Sequence, residues 1–127
     1  MEEAKKYLQL NDIDAYKAAF HLSNYVWEVI ADWEWFCKKT VGVQFVTAAD
    51  SISANIAEGF GRYHKKDKIK FYRYSQASLK ECFDWNAKSK KRNLIDEVTY
   101  QHIYKELKKI EPLLGQLIKY TNEKLNL

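Results

Sequence analysis

Residues 51–62 read SISANIAEGFGR, and this stretch decides the fold more than any other part of the chain. Ile52 and Ile56 are one helical turn apart, so they lie on the same face of a helix. Gly59 and Gly61 follow, and glycines at this place are typical of a helix end. The stretch therefore predicts a helix that ends near residue 60, and it leaves Asn55 as a polar residue to be explained.

The composition predicts one globular domain that spans residues 1–127. The chain has 127 residues, of which 46% are hydrophobic and 15% aromatic, enough for a core. One proline and four glycines leave room for long uninterrupted helices. The net charge of +4 is compatible with a nucleic-acid partner and does not require one.

Cysteine usage and hydropathy favour a cytoplasmic protein without a redox or metal motif. Cys37 and Cys82 are the only cysteines and are not in a C-x-x-C pair, so buried free thiols are expected rather than a disulfide. The first ten residues, MEEAKKYLQL, are too charged for a signal peptide. No apolar run reaches the roughly 18 residues that a membrane span requires.

Apolar spacings of three and four residues predict four helices. The expected ranges are about 14–36, 39–60, 66–92 and 96–124. Asp96 is a predicted N-cap, and Pro112 predicts a kink near residues 108–111. With short connections, four such helices predict an all-α, antiparallel up-down-up-down four-helix bundle.

No catalytic, cofactor or metal site is predicted. A di-metal bundle requires Glu-x-x-His pairs, and none is present; the three histidines are far apart. There is no G-x-S-x-G and no cysteine with a neighbouring histidine. The sequence GFGR resembles a phosphate loop only superficially, because its glycines close a helix, where the dipole is negative.

The strongest functional pattern from composition is basic. Residues 62–92 contain eleven Lys or Arg and three acidic residues. The segment RYHKKDKIKFYRY also interleaves aromatic residues, and Tyr63 or Tyr72 is a candidate to stack on unpaired bases. The candidate phosphate contacts are Arg62, Lys65, Lys66, Lys68, Lys70 and Arg73. The alternative is that these residues form solvated helix ends, with the aromatic residues in the core.

The stretch SISANIAEGFGR, followed by FYRYSQASLKECFDW and RNLI, resembles the family of four-helix proteins encoded in intervening sequences of the large-subunit (23S) ribosomal RNA. Ser51, Ile52, Asn55–Gly59, Gly61 and Arg62 match its first motif, and Phe71, Ser75, Ser78, Leu79 and Glu81 match its second. Ala77 stands where the family usually has glycine. The resemblance spans about residues 14–120.

This resemblance implies a small helical subunit that assembles as a ring-like homopentamer, and it implies no catalytic residue. Similar proteins include the accessory subunit of diversity-generating retroelements, which binds a reverse transcriptase and nucleic acid. The resemblance thus implies self-association, RNA or DNA, and a reverse transcriptase or another protein as partners.

Two further sets of residues are predicted to have defined roles. The first is a buried polar network between the second and third helices, comprising Asn55, Glu58, Arg62, Ser78 and Glu81. Within it, Arg62 is four residues after Glu58, the spacing of an ion pair on a helix. The second is an apolar stripe on the first helix that a subunit interface would bury, comprising Tyr16, Phe20, Trp27 and Ile30. The competing interpretation of the stripe is that the core of the bundle takes it up.

Three functions follow from these patterns. The leading hypothesis is a non-enzymatic, oligomeric scaffold that binds nucleic acid through residues 62–73. The alternative is a protein–protein adaptor that uses its aromatic surface and binds no nucleic acid. The third is an enzyme that uses Glu58 and Glu81 as a carboxylate pair with Arg62. The competing interpretation is that these residues form the buried ion pair and hydrogen-bond network.

Overall fold

The computed structural model describes residues 8–124, which form four long helices and no strand. A 3₁₀ turn, Leu10–Asp12, precedes the first helix. The helices are α1 (Asp14–Ala31), α2 (Val43–Phe60), α3 (Lys65–Lys91) and α4 (Glu97–Lys124). The all-α class and the four-helix bundle are thus confirmed. The predicted domain range 1–127 also includes residues 1–7 and 125–127, which lie outside the described residues.

Each helix packs against the next one in the chain, and α4 returns to α1. In the α2–α3 pair and in the α3–α4 pair, residues later in one helix contact residues earlier in the other. Both pairs of helices are therefore antiparallel. The contacts that define these directions pair Ile52 with Ser75, Gly59 with Tyr72, Lys80 with Glu111, and Lys65 with Asn122. On the closing interface, the rings of Tyr25 and His102 lie 4.3 Å apart.

The core consists of one apolar face from each helix. Phe45, Ile52 and Ile56 of α2 are fully buried, as the helical spacing predicts. The buried residues of α4 are Ile103, Leu107, Ile110, Leu114, Ile118 and Thr121. In α3, Asn86 and Ser89 are buried among apolar neighbours, so its inner face is more polar than the others.

The sequence predicts that the first helix ends at about residue 36 and that the second begins at about residue 39, and the structure differs at both places. α1 ends at Ala31, and helical structure resumes at Trp35 as a short turn, Trp35–Cys37, and then a π-helix, Lys38–Gly42, that leads into α2. Glu34 causes the early start, because its side chain accepts a hydrogen bond of 2.9 Å from the backbone N–H of Phe36. Glutamate is an uncommon N-cap, so this helix start has no strong signal in the sequence.

The turn between α3 and α4 is a Schellman motif. Leu94 N donates to Ser89 O at 2.8 Å and Asn93 N to Lys90 O at 3.1 Å, with Asn93 in the left-handed conformation at a φ of 61°. Asp96 Oδ1 then accepts from Thr99 N at 2.8 Å, which confirms Asp96 as an N-cap. Hydrogen bonding to Thr99 lowers the pKa of Asp96.

Pro112 lies inside α4, which is one helix from Glu97 to Lys124. Proline removes one backbone donor and crowds the preceding turn. The kink predicted near residues 108–111 stays a prediction.

α2 and α3 approach each other closely at Gly59. A Cβ on Gly59 would lie 2.7 Å from Tyr72 Cε1 and 2.9 Å from the carbonyl oxygen of Lys68. Gly59 is therefore a packing residue inside α2, and not the helix stop that the sequence suggested. Gly61 occupies the C-cap, in a right-handed conformation, with its N–H on Ala57 O.

The two cysteines are free, and they differ in exposure. Cys82 is fully buried in the core, and burial raises the pKa of its thiol. Cys37 is only half-buried, so the prediction of two buried thiols is wrong for this residue. Its Sγ lies 3.3 Å from Glu34 Oε2, and desolvation together with this carboxylate raises the pKa of Cys37.

Alanine at two glycine positions should have opposite effects on stability. At Gly59 the new methyl group collides with Tyr72 and with backbone, and we expect a loss of about 1–3 kcal/mol. At Gly115, in α4, the methyl group meets nothing within 4 Å, and we expect a gain of about 0.5–1 kcal/mol from the lower entropy of the unfolded chain. Urea unfolding measures both. Equal effects of the two substitutions would contradict the close α2–α3 packing.

The folded protein should react with a thiol reagent such as DTNB in two separate phases. Cys37 reacts first, though more slowly than an unperturbed thiol because its pKa is raised. Cys82 reacts only after unfolding, because it is fully buried. Simultaneous modification of both thiols in native buffer is the outcome that would contradict the buried position of Cys82.

Candidate nucleic-acid interface

Arg62, the first of the predicted phosphate contacts, makes its contacts within the protein. Its Nη2 and Nε lie 2.8 and 3.0 Å from Glu58 Oε2, one helical turn earlier. Its guanidinium also covers the ring of Phe71, 4.5 Å from the centroid. This i,i+4 pair is the one that the sequence predicts, and it fixes Arg62 at the α2–α3 turn.

Lys65 and Lys68 cover the carbonyl ends of two helices. Lys68 Nζ donates to Phe60 O at 2.7 Å, and Lys65 Nζ donates to Asn122 O at 3.1 Å. The last carbonyls of a helix lack partners within it, and a lysine there also meets the negative end of the dipole. Burial lowers the pKa of Lys68. Both residues thus hold α3 to its neighbours.

The three remaining candidates form an exposed basic row along α3. Lys66, Lys70 and Arg73 are spaced by four and three residues, so they lie on one side of the helix, and all three are exposed. None of them forms an ion pair with any residue between 8 and 124. Arg73 Nη1 donates to Gln76 Oε1 at 3.2 Å, within the same helix. We call Lys66, Lys70 and Arg73 the α3 basic stripe.

The aromatic residues near the stripe differ in their access to solvent. Tyr72 is buried under Gly59, and burial raises its pKa to about 12, so the prediction that it could stack on a base is wrong. Tyr63 is 69% exposed and remains available. Tyr74, which the sequence analysis did not single out, is also exposed, with its ring 5.3 Å from that of Phe71.

The predicted buried polar network between α2 and α3 is not present. Glu58 is exposed, as is Glu81, whose Oε2 accepts from the Trp85 indole at 3.4 Å. The half-buried Asn55 donates to Ser51 O at 2.9 Å, within its own helix. Ser78 is half-buried as well. The residues lie on the outer edge of the α2–α3 interface, where water competes for their hydrogen bonds.

The polar link between α2 and α3 is instead a single buried hydroxyl. Ser75 Oγ donates to Ile52 O at 2.7 Å across the interface. Ser75 has the spacing of the core-facing residues of α3, and this hydrogen bond is not among those predicted from the sequence. A buried serine hydroxyl needs a hydrogen-bond partner, and this requirement is the signal that could have identified the bond.

The apolar stripe predicted on α1 is divided between core and surface. Ile30 is buried in the core and adds little exposed surface to the stripe, which corrects the prediction. Tyr16 is half-buried against the core, with its ring 6.0 Å from that of Phe20. Phe20 and Trp27 are exposed, at 49% and 61%.

Between residues 8 and 124 no three His, Cys, Asp or Glu side chains lie together as metal ligands would. No helix in that range has both the length and the apolar character to cross a membrane.

Comparison with known proteins identifies the family. A protein from the S23 ribosomal protein family of Bacteroides thetaiotaomicron, described as of unknown function, is 18% identical, with a TM-score of 0.74 over 83% of this chain and 98% of its own. At this identity the likeness shows the fold. No curated protein matches. The family model described as 23S rRNA-intervening sequence protein matches residues 11–116. The chain therefore belongs to the 23S rRNA-intervening sequence protein family.

Proposed function

We propose that this protein is a non-enzymatic oligomeric scaffold that binds nucleic acid through the α3 basic stripe. The observation that carries the proposal is the exposure of Lys66, Lys70 and Arg73 on one side of α3, without acidic partners among the described residues. The contacts of Arg62 with Glu58, and of Lys65 and Lys68 with helix ends, reduce the six predicted phosphate contacts to these three residues.

The stripe has dimensions that suit a nucleic-acid backbone. Lys66 and Arg73 are seven residues apart, which corresponds to about 10 Å along a helix. Phosphates of one duplex strand advance by about 3.4 Å each, so the stripe spans a few of them. Tyr63 and Tyr74 are exposed beside this part of the chain and supply flat surfaces for unpaired bases.

A binding role is favoured over catalysis by the contacts of the acidic residues. Glu58 pairs with Arg62, which lies just beyond the end of the same helix. Glu81 contacts Trp85 within α3. Both carboxylates are exposed to solvent. They are therefore ordinary surface residues rather than an acid–base pair.

The oligomeric part of the proposal rests on the apolar surface of α1 and the start of α2. Trp27, Trp35 and Val43 are exposed at 61%, 69% and 53%. A groove of about 370 Å³ lies beside them, lined by Trp27, Ile30, Ala31, Lys38, Gly42, Val43, Val46 and Thr47. Such a surface suits contact with a second protein. We assign it to another copy of this chain, in a ring whose order of five comes from the family resemblance.

The alternative function is a protein–protein adaptor, and the same groove favours it. Its lining is almost entirely apolar, and Trp27 is of the residue type that most often dominates binding energy at interfaces. A reverse transcriptase or another protein would then occupy the groove, and the basic stripe would keep the protein soluble.

Removal of two stripe lysines should weaken RNA binding in a salt-dependent way. For Lys66→Ala/Lys70→Ala we expect the slope of log Kd against log salt to fall by about two, because each lysine neutralises about one phosphate. Fluorescence anisotropy with a single-stranded RNA of about 12 nucleotides measures it. The melting temperature should not change, since neither lysine holds another element.

Lys105→Ala/Lys109→Ala, on α4, is the matched control with the same change in charge, and its slope should stay near that of the wild type. Lys68→Ala is a second control: it should lower the melting temperature, because Phe60 O loses its partner. Binding that is insensitive to salt, or equally weakened by the α4 control, would contradict the proposal.

Trp27→Glu should reduce the molar mass in solution to that of the monomer, 15.1 kDa. A charge in the centre of an apolar interface costs several kcal/mol when it is unpaired, whereas Trp27 is exposed and should tolerate glutamate in the isolated subunit. Light scattering measures the mass, and Gln44→Glu, at an exposed neighbouring site, is the control. A monomeric wild type, or an oligomer unaffected by Trp27→Glu, would contradict the assignment.

A further inference from the structure

A second groove, between α3 and α4, has the chemistry of an anion site. Its volume is about 340 Å³, and its lining comprises Ile69, Arg73 and Gln76 of α3 and Gly115, Ile118, Lys119 and Asn122 of α4. The lining holds two cations, two amides and no carboxylate. Arg73 and Lys119 are both exposed, and Lys119, like Arg73, forms no ion pair with any residue of the described range 8–124.

Two lysine contacts between the helices flank this groove. Toward one end of the bundle, Lys65 Nζ donates to Asn122 O at 3.1 Å. Toward the other, Lys80 Nζ lies 2.9 Å from Glu111 Oε2. Glu111, four residues before Gly115, is therefore already paired with a lysine, and the lining of the groove contains no carboxylate, since Glu123, four residues after Lys119, lies outside it.

Gly115 is what keeps the groove open. A Cβ at Gly115 would meet no atom within 4 Å, so the backbone of α4 borders empty space at this point. A glycine in the middle of an exposed helix costs stability relative to alanine, and packing does not explain it here. Gly115 lines the same groove as Arg73 and Lys119, so a larger side chain at this position would fill part of it.

We propose that this groove binds one nucleotide unit of a single-stranded nucleic acid. This inference rests on the proposed function, and it identifies the place where the strand crosses the bundle. Arg73 and Lys119 hold the phosphate from opposite helices, with Arg73 offering the planar fork that suits phosphate oxygens. The amide groups of Gln76 and Asn122 face the nucleoside, whose base lies over Ile69 and Ile118. The α3 basic stripe continues from Arg73 and follows the next phosphates.

The first experiment uses a mononucleotide, so that it does not depend on strand binding. Uridine monophosphate is titrated into ¹⁵N-labelled protein, with inorganic phosphate and uridine as separate probes. We expect saturable shifts of the amide signals of Ile69, Gly115 and Lys119 with the nucleotide, and smaller shifts with either part alone. Shifts spread over lysines of the whole surface, or the same response to phosphate alone, would overturn the proposal.

The second experiment blocks the groove without a change in charge. Gly115→Leu should abolish these shifts and weaken binding of an RNA of about 12 nucleotides by about tenfold, the effect of losing one charged hydrogen-bonded contact. Ala54→Leu, at an exposed helical site on α2, is the matched control and should bind like the wild type. Thermal melting establishes that both variants are folded.

The outcomes separate this inference from the proposed function. If Gly115→Leu and Lys119→Ala bind RNA as the wild type does while Lys66→Ala/Lys70→Ala weakens binding, the function stands and the groove is wrong. If the wild type binds no RNA, the proposed function fails, and the groove is then judged by the mononucleotide titration alone.

Discussion

The contact at Gly59 is the constraint on which the arrangement of α2 and α3 depends. Because Gly59 has no side chain, the ring of Tyr72 and the backbone of Lys68 come within reach of the α2 backbone. Further along the same interface, the Ser75 hydroxyl can then donate a hydrogen bond of 2.7 Å to Ile52 O. Close packing, a buried hydrogen bond and the burial of Tyr72 are thus parts of one interface, and they fix the rotation of α3 about its axis.

That rotation decides which cations bind within the protein and which face solvent. With Tyr72 and Ser75 turned inward, Lys68 meets the end of α2 and Lys65 meets the end of α4. Lys66, Lys70 and Arg73 are then exposed on the outer side of the same helix. A row of like charges is thereby presented on a rigid element, which is a better platform for phosphates than a mobile loop would be.

The sequence predicted the fold well because the apolar spacing that it relied on is the physical cause of the bundle. It assigned Gly59 to a helix stop, because a glycine near a helix end has the same local pattern whether it caps or packs. It placed Glu58 and Glu81 in a buried network, since the sequence shows their spacing on each helix and not the rotation of one helix against the other. The Glu58–Arg62 pair, which depends only on local spacing, was predicted correctly. The groove at Gly115 depends on two helices more than thirty residues apart in the chain, and no local pattern indicates it.

α3 carries basic residues that hold the bundle together and others that we propose contact nucleic acid. Protection of lysines from acetylation by an excess of single-stranded RNA, read by mass spectrometry, tests this assignment directly. We expect RNA to protect Lys66, Lys70 and Lys119 from acetylation. Lys105 should react at the same rate with and without RNA. Lys65 and Lys68 should react slowly in both cases. Protection of Lys105 equal to that of Lys66, or no protection of Lys66 and Lys70 under conditions where RNA is bound, would contradict it.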